Sequence, residues 1–316
     1  MKILSFIQQE NGKSNRLSIE ALTGAQKIAA DTGETVTLVV FGEQPAELSG
    51  FAASEIIFAG NPELKSFSPL FYTSALEQII QAESPDLVIF GHSYEVRDWV
   101  PRLSARLGMG FIADCTGYST EPQFTPVKQI YQGKINADVN CSLPCLLSFQ
   151  SGVFRTDEVK SGSAAARSAE VDLSSVPHTV RPGEKFQEAK GTVDLSRAEI
   201  IVSIGRGVGK EENMPIIQAF ADALGAELGS SRPVVDYGWL PHERQVGSSG
   251  QTVSPKLYIA VGLSGAIQHQ VGMKGSGNII AINKDENAPI FEIADIGVVE
   301  DLFEIIPKLT EAIKAK

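Results

Sequence analysis

LYIAVGLSGAIQHQVGMKGSGNIIAIN, residues 257–283, decides the fold of the C-terminal part. Leu257–Val261 is short and apolar, as a strand buried on both faces should be. It runs directly into Gly262-Leu263-Ser264-Gly265, a turn, and then into a short helix predicted over residues 264–273. Residues 278–283 (NIIAIN) form the next strand. Strand, turn, helix and strand make a βαβ unit and hence a parallel sheet. In this reading Ser264 caps the helix, and the freed N–H groups of Gly265 and Ala266 make an anion site.

The same alternation extends outward. Residues 199–204 read as a strand ending at Gly205-Arg206-Gly207-Val208-Gly209. Met214–Leu224 reads as an amphipathic helix with Gly225 as its C-cap, and residues 300–315 as a closing amphipathic helix. Toward the N-terminus, strands are expected at Ile3–Ile7 and at residues 35–41, 56–58 and 87–90. Helices are expected over residues 17–31, 70–82 and 98–107. Residues 127–142 and 145–150 are β-prone with no helix between them, which predicts antiparallel strands completing the first domain. Residues 160–169, rich in Ser, Ala and Gly, read as a loop. The length of 316 residues suits two domains, with the boundary expected near residue 187.

Two turns carry chemistry. Arg206 stands between glycines at the carboxyl end of a strand, where α/β proteins bind ligands. Neither turn spells the dinucleotide fingerprint G-x-G-x-x-G or a P-loop. Gly262-Leu263-Ser264-Gly265-Ala266 approaches a nucleophile elbow but lacks its last glycine. The hydroxyl-rich stretches Ser230-Ser231-Arg232 and Gln245-Val246-Gly247-Ser248-Ser249-Gly250 add polar atoms before residue 257.

Composition narrows the class. Net charge is −11, from 27 Lys and Arg against 38 Asp and Glu, which argues against broad nucleic-acid or anionic-membrane binding. Any anion site must be built locally. Three cysteines, Cys115, Cys141 and Cys145, are too few for a disulfide framework and suit a reducing compartment; buried structural thiols are expected, and no metal. With no apolar run of 18 residues and no signal-like N-terminus, a cytoplasmic protein without membrane insertion is expected.

The order of these pieces resembles the alpha subunit of electron transfer flavoproteins. Residues 257–283 carry the resemblance, with GRG (205–207), SSR (230–232), QVGSSG (245–250) and the continuation KDENAPIFEIADIGVVEDLFEIIPKL (284–309). It implies an α/β chain of two domains. Residues 1–187 would be a nucleotide-hydrolase-like parallel sheet with added antiparallel strands, serving as scaffold and partner surface. Residues 188–316 would be a Rossmann-like FAD-binding parallel sheet. It also implies a heterodimer with a beta subunit that holds AMP. Electrons would pass from acyl-CoA or similar dehydrogenases, as in fatty acid beta-oxidation, to a quinone oxidoreductase, or be bifurcated from NADH in some lineages.

Carried over residue by residue, Arg206 would lie against the flavin ring, and Ser231 and Arg232 at the ribityl–phosphate region. Val246, Gly247, Ser248 and Ser249 would border the ring. Ser264, Gly265, Ala266, Ile267, Gln268 and His269 would line the pyrophosphate and ribityl chain, with His269 reaching the flavin C2 carbonyl. Asn283 would support the phosphates, and Asp301 and Leu302 the adenosine end. Many family members read Gln-Thr where this chain has Ser248-Ser249. Ser249 keeps a hydroxyl for flavin N5, whereas Ser248 lacks the amide. Electron transfer needs no catalytic acid or base, and none is assigned. A cation at ~4 Å and an effective dielectric of ~20 is worth ~4 kcal/mol, on the order of 170 mV for one electron. Most of that is expected from Arg206 and a smaller part from His269. The rival readings are an NAD-dependent Rossmann-type oxidoreductase and a non-flavin nucleotide-binding module.

Overall fold

The computed structural model describes residues 1–131, 133–180, 183, 195 and 198–315. The chain divides into two compact units, Met1–Phe186 and Gln187–Lys316. The boundary expected near residue 187 lies outside the described residues.

In the first unit the strands are β1 (Ile3–Ile7), β2 (Gln9–Glu10), β3 (Lys13–Ser14), β4 (Val36–Phe41), β5 (Glu55–Ala59), β6 (Leu87–Gly91), β7 (Gly110–Ser119), β8 (Thr125–Ile130), β9 (Ile135–Asp138), β10 (Cys145–Phe149) and β11 (Ala166–Ser168). The helices are α1 (Arg16–Thr32), α2 (Pro69–Glu83) and α3 (Tyr94–Leu107). Among the described residues one sheet runs β11-β5-β4-β1-β6-β10-β7-β8-β9, and β2 and β3 form a separate hairpin. β1, β4, β6 and β10 are buried along their whole lengths, which is why their sequences are continuous apolar runs rather than alternating ones.

The period-two pleat sorts their side chains onto two cores. Ile3 and Ile7 face α1 with Ala21, Leu22, Ala25 and Ile28. Leu4 and Phe6 face α2 and α3 with Phe41, Tyr72, Phe90 and Trp99. There Phe6 meets the Phe41 and Trp99 rings edge-on, with centroids 5.0 and 5.3 Å apart, the geometry that aromatic quadrupoles favour. α1 is capped by the Asn15 side chain, which accepts from the Leu17 N–H, and stops at Gly33 with φ of 73°. α3 starts at Tyr94, four residues before the expected start at 98, because the Ser93 hydroxyl accepts from the Val96 N–H there.

Three expectations fail in this unit. β10 is not antiparallel: it lies between β6 and β7 and pairs parallel with both. Its faces are covered by the two cores, Leu147 and Phe149 on one side and Leu146 on the other, and an apolar run of this kind does not set the strand's direction. β7, ten residues long and half-buried, has no clean alternation and escaped the sequence pattern. β11 falls inside the expected loop at 160–169; its three residues are exposed and join the sheet by backbone pairing with β5, which leaves no apolar signal to read. The antiparallel expectation holds within residues 127–142, where β8 pairs antiparallel with β9 and also with β7.

The second unit contains β12 (Ile200–Ile204), β13 (Glu227–Ser230), β14 (Leu257–Val261), β15 (Ile279–Asn283) and β16 (Ile296–Val299), with α4 (Met214–Leu224), α5 (Arg232–Asp236), α6 (Ile267–Gln270) and α7 (Leu302–Lys314). All pairings in the order β13-β12-β14-β15-β16 are parallel. α4 and α7 cover one face through Ile217, Phe220, Leu302 and Ile306. On the opposite face Tyr258, Ala260, Ala281, Val246, Met273 and Ile290 pack together. The chain moves from β12 outward to β13 and then returns to β14 on the other side of β12. The order in which the chain adds strands therefore reverses between β12 and β14. Ligands of open parallel sheets bind beyond the carboxyl ends of the strands at such a point.

Candidate functional site

The register brings Ile204, Val261, Ile282 and Ser230 to one level at the carboxyl edge of the sheet. Each strand then releases a loop. The loop after β12 and the loop after β14 touch through glycines. The Gly205 N–H donates to the Val261 carbonyl and the Gly207 N–H to the Gly262 carbonyl, both at 3.0 Å. A β-carbon on Gly205 would lie 2.3 Å from the Gly262 carbonyl oxygen, and one on Gly207 would lie 2.7 Å from the Gly262 Cα. No side chain fits between these backbones. Arg206 leaves this turn exposed, with no ion-pair partner among the described residues.

The β14 loop departs from the expected helix start. Ser264 is not a cap. Gly265 takes φ of 79°, and the short helix α6 begins at Ile267 with Ala266 in the cap position and no side-chain cap bond. Instead, the Ser264 carbonyl accepts from the Ile290 N–H at 3.1 Å. A β-carbon on Gly265 would sit 2.3 Å from that same Ile290 nitrogen. Among the described residues the N–H groups of Leu263, Ser264, Gly265 and Ala266 have no acceptor. Four consecutive donors in a loop are a polyanion cradle that needs no helix dipole.

The loop at 245–251 lies against α6. The Ser248 N–H donates to the Gln268 carbonyl at 2.7 Å, and a β-carbon on Gly247 would meet the same oxygen at 2.7 Å. The buried Gln245 amide donates to the Ser249 hydroxyl at 2.9 Å, occupying one lone pair of that oxygen and leaving its proton to donate elsewhere. On the far side, the Asn283 amide donates to the Leu263 carbonyl at 2.8 Å, and its oxygen accepts from the Asp285 N–H at 3.0 Å. Asn283 therefore holds the β14 loop in shape.

These loops enclose a pocket of about 1020 Å³. Of the residues expected at the site, Arg206, Ser231, Arg232, Val246, Gly247, Ser248, Ser249, Ser264, Gly265, Ala266, Gln268, His269 and Asn283 line it. Three do not. Ile267 lies 39% exposed on α6. Asp301 caps α7, its carboxylate accepting from the Phe303 N–H at 2.9 Å. Leu302 is buried in the α4–α7 core, reaching the pocket only as support beneath Gly262. Gln245, Tyr237 and Lys284 line the pocket in addition. Gln245 and Lys284 sit within or beside the quoted motifs, whereas Tyr237 carries no sequence signal. Arg206, Arg232 and Lys284 face Asp285 as the lone acid of the lining, so a chain of net charge −11 has built a cationic patch. Arg232 is shared with Asp236 at 3.6 Å, an exposed pair that leaves most of its charge available.

His269 is 6% exposed. Its Nε2 lies 2.9 Å from the Tyr258 hydroxyl, and its Nδ1 is buried with no hydrogen-bond partner. Burial pushes its pKa down to about 4, with the backbone of Val246 opposing in smaller part. Burial therefore favours the neutral ring over the charged form expected of His269. A hydrolase relay through Ser264 is likewise missing, since His269 is bonded to a phenol and not to a carboxylate.

In the first unit, Cys141 and Cys145 place their sulfurs 3.8 Å apart as free thiols, and burial raises the pKa of Cys115 to about 12. Among the described residues no cluster of His, Cys, Asp and Glu could hold a metal ion, and no helix is long and apolar enough to cross a membrane.

Comparison with known proteins places both units in one family. Residues 3–178 match the electron transfer flavoprotein domain, and residues 194–274 the electron transfer flavoprotein FAD-binding domain. The electron transfer flavoprotein subunit alpha of Thermoanaerobacterium thermosaccharolyticum is 38% identical over 98% of this chain and 96% of that one. The acryloyl-CoA reductase electron transfer subunit beta of Anaerotignum propionicum is 34% identical over 98% and 94%. Subunit LctC of the lactate dehydrogenase (NAD(+),ferredoxin) of Acetobacterium woodii is 33% identical over 99% of this chain and 77% of that one.

Proposed function

The chain belongs to the electron transfer flavoprotein alpha-subunit family, and from that premise we propose that it carries electrons on FAD held in the pocket between the β12 and β14 loops. FAD is the cofactor of its FAD-binding domain. The observation that carries the placement is the row of four unpaired N–H groups at residues 263–266 beside Arg206, Arg232 and Lys284. The donors and cations fit a pyrophosphate, and the free proton of Ser249, whose oxygen is held by Gln245, fits an acceptor at the edge of a planar ring. Bound FAD supplies the redox chemistry, accepting electrons in pairs and releasing them singly.

The protein's residues act around it. The loop N–H groups bind phosphate oxygens, and the glycine contact between Gly205, Gly207 and Gly262 lets backbone approach the cofactor closely. Arg206 places positive charge beside the ring and favours its reduction. Ser249 donates toward the ring while Gln245 holds its oxygen, and Asn283 fixes the loop that carries the donors. No group is needed to abstract a proton from a substrate.

In this reading the chain pairs with a beta-type subunit that holds AMP, and the first unit supplies scaffold and partner surface. It takes electrons from acyl-CoA or related dehydrogenases, in the manner of fatty acid beta-oxidation, and delivers them to a quinone oxidoreductase in the cytoplasm. The names of two relatives, tied to an acryloyl-CoA reductase and to an NAD(+)- and ferredoxin-dependent lactate dehydrogenase, make reductase or bifurcating assemblies the second reading.

Co-expression with a beta-type subunit tests the proposal. A yellow complex with one FAD released per pair, reduced by an acyl-CoA dehydrogenase and its substrate, is expected. A colourless complex that does not take up added FAD refutes the placement. Reduction by NADH only when a low-potential acceptor is present would transfer the assignment to the bifurcating reading.

A further inference from the structure

We propose that Cys141 and Cys145 form a dithiol oxidation site, at which hydrogen peroxide converts two free thiols into one intramolecular disulfide. The site belongs to the first unit and shares no residue with the flavin pocket.

Hydrogen bonding and access separate this pair from the third cysteine. The Cys145 S–H donates to the Cys141 sulfur across 3.8 Å, whereas the Cys115 S–H donates to the Ile112 carbonyl at 3.5 Å. Cys141 is half-buried in the connection between β9 and β10, and Cys145 is buried at the start of β10. Cys145 is fixed in place, since β10 pairs with β6 and β7 and the Cys145 N–H donates to the Asp86 carbonyl at 3.0 Å. Cys141 belongs to no strand. A disulfide needs its sulfurs about 2 Å apart, so Cys141 supplies the movement. A thiol that senses oxidants is reached from solvent and stands beside a second thiol that resolves it. Burial raises the pKa of Cys145, and the Cys141 sulfur adds to the effect. Cys145 therefore does not compete for the oxidant as a thiolate.

The chemistry takes two steps. The Cys141 sulfur attacks one peroxide oxygen, the O–O bond breaks, and the thiol proton leaves with the departing hydroxide as water, giving a sulfenic acid. The Cys145 sulfur then attacks the Cys141 sulfur, the S–O bond breaks, and the Cys145 proton leaves with hydroxide as a second water. The two thiols lose two electrons and two protons, and the peroxide is reduced to water. The oxidant has a source in the proposed function: reduced FAD passing two electrons and two protons to dioxygen yields hydrogen peroxide and oxidised FAD. That source rests on the FAD reading, whereas the thiol pair does not.

Tryptic cleavage after Lys134 and Arg155 places Cys141 and Cys145 on one peptide, and cleavage after Arg106 and Lys128 places Cys115 on another. The full chain in complex with its beta-type partner is treated with hydrogen peroxide, denatured in iodoacetamide, digested and weighed. The peptide of residues 135–155 is expected to be lighter by two hydrogen atoms and unalkylated, while the Cys115 peptide stays alkylated. Dithiothreitol added before the iodoacetamide should restore both labels. Cys141→Ser should abolish the light peptide. Cys145→Ser should leave a sulfenic acid on Cys141 that dimedone captures; if that core variant does not fold, wild type and Cys141→Ser decide between them. Full alkylation of Cys141 and Cys145 after peroxide overturns the proposal, as does a bond to Cys115 or a link between two chains. In a second arm, the complex with photoreduced FAD is exposed to air, and the same light peptide is expected, with catalase preventing it. Failure of this arm with the first intact would strike the flavin source alone.

Discussion

Replacing Gly265 with alanine is expected to cost several kcal/mol and to empty the flavin pocket. Gly265 has φ of 79°, and an L-residue in the left-handed region costs roughly 1–2 kcal/mol. The added carbon would lie 2.3 Å from the Ile290 nitrogen, 2.5 Å from its Cα and 2.8 Å from its Cβ. These are backbone or branched atoms and cannot swing aside, so the collision adds about 1–3 kcal/mol. Moving them breaks the Ile290 N–H to Ser264 carbonyl bond of 3.1 Å, worth about 1 kcal/mol. The sum is roughly 3–6 kcal/mol, a large part of the roughly 5–15 kcal/mol that holds a domain folded. The strain falls on the loop that presents the four free N–H groups. Urea unfolding of the apoprotein and FAD titration of the complex measure the two effects. Gly225→Ala is the control: it shares a positive φ of 62° but meets nothing within 4 Å, so it should cost about 1 kcal/mol and leave FAD binding intact. Equal unfolding midpoints for the two variants, with FAD bound by both, would refute the reasoning.

Three further outcomes are expected. Arg206→Ala should lower the one-electron potential of bound FAD by roughly 40–170 mV, the range given by ~1–4 kcal/mol for effective dielectrics between ~80 and ~20, while Arg206→Lys keeps most of it; spectroelectrochemical titration at fixed ionic strength reads this, and an unmoved potential with FAD still bound counts against the role. His269 has a folded pKa of about 4 against roughly 6.5 in an unfolded chain. The unfolded state thus takes up the proton first, stability is full above about pH 6.5 and falls as the pH drops, by up to ~3 kcal/mol below pH 4. His269→Gln should flatten that slope, and parallel urea midpoints for the two proteins at about pH 5 and 7 would contradict it. Ser249→Ala strands the Gln245 amide and should cost about 1–3 kcal/mol, whereas Ser249→Thr keeps the hydroxyl and should behave as wild type in thermal melts.

What the sequence discloses depends on whether burial shapes the side chains. Ile3–Ile7, Val36–Phe41 and Leu257–Val261 are buried on both faces, and their unbroken apolar runs announce parallel strands. The placement of Cys145–Phe149 between β6 and β7 was not legible, because a fully buried strand reads the same in either direction and pairing partners leave no local mark. The site was legible where glycine is the only residue that fits, as at Gly205, Gly207 and Gly265. It was less legible where a side chain is spent locally, as Asp301 is on its own helix outside the pocket lining. Ser264 resembled a cap in sequence, but the left-handed turn at Gly265 delays the helix by two residues. His269 resembled a cation until its burial and its phenol neighbour were known.

The side-by-side contact of Gly205 and Gly207 with Gly262 has a consequence for anyone rebuilding this protein. The two loops are some 55 positions apart in sequence yet are cast as a single mould, each backbone being the wall of the other. A substitution that tunes the flavin from one loop can be tolerated only if the opposite surface stays bare. Grafting either loop from a relative of different potential will therefore succeed when both travel together, and the natural module for exchange is the facing pair.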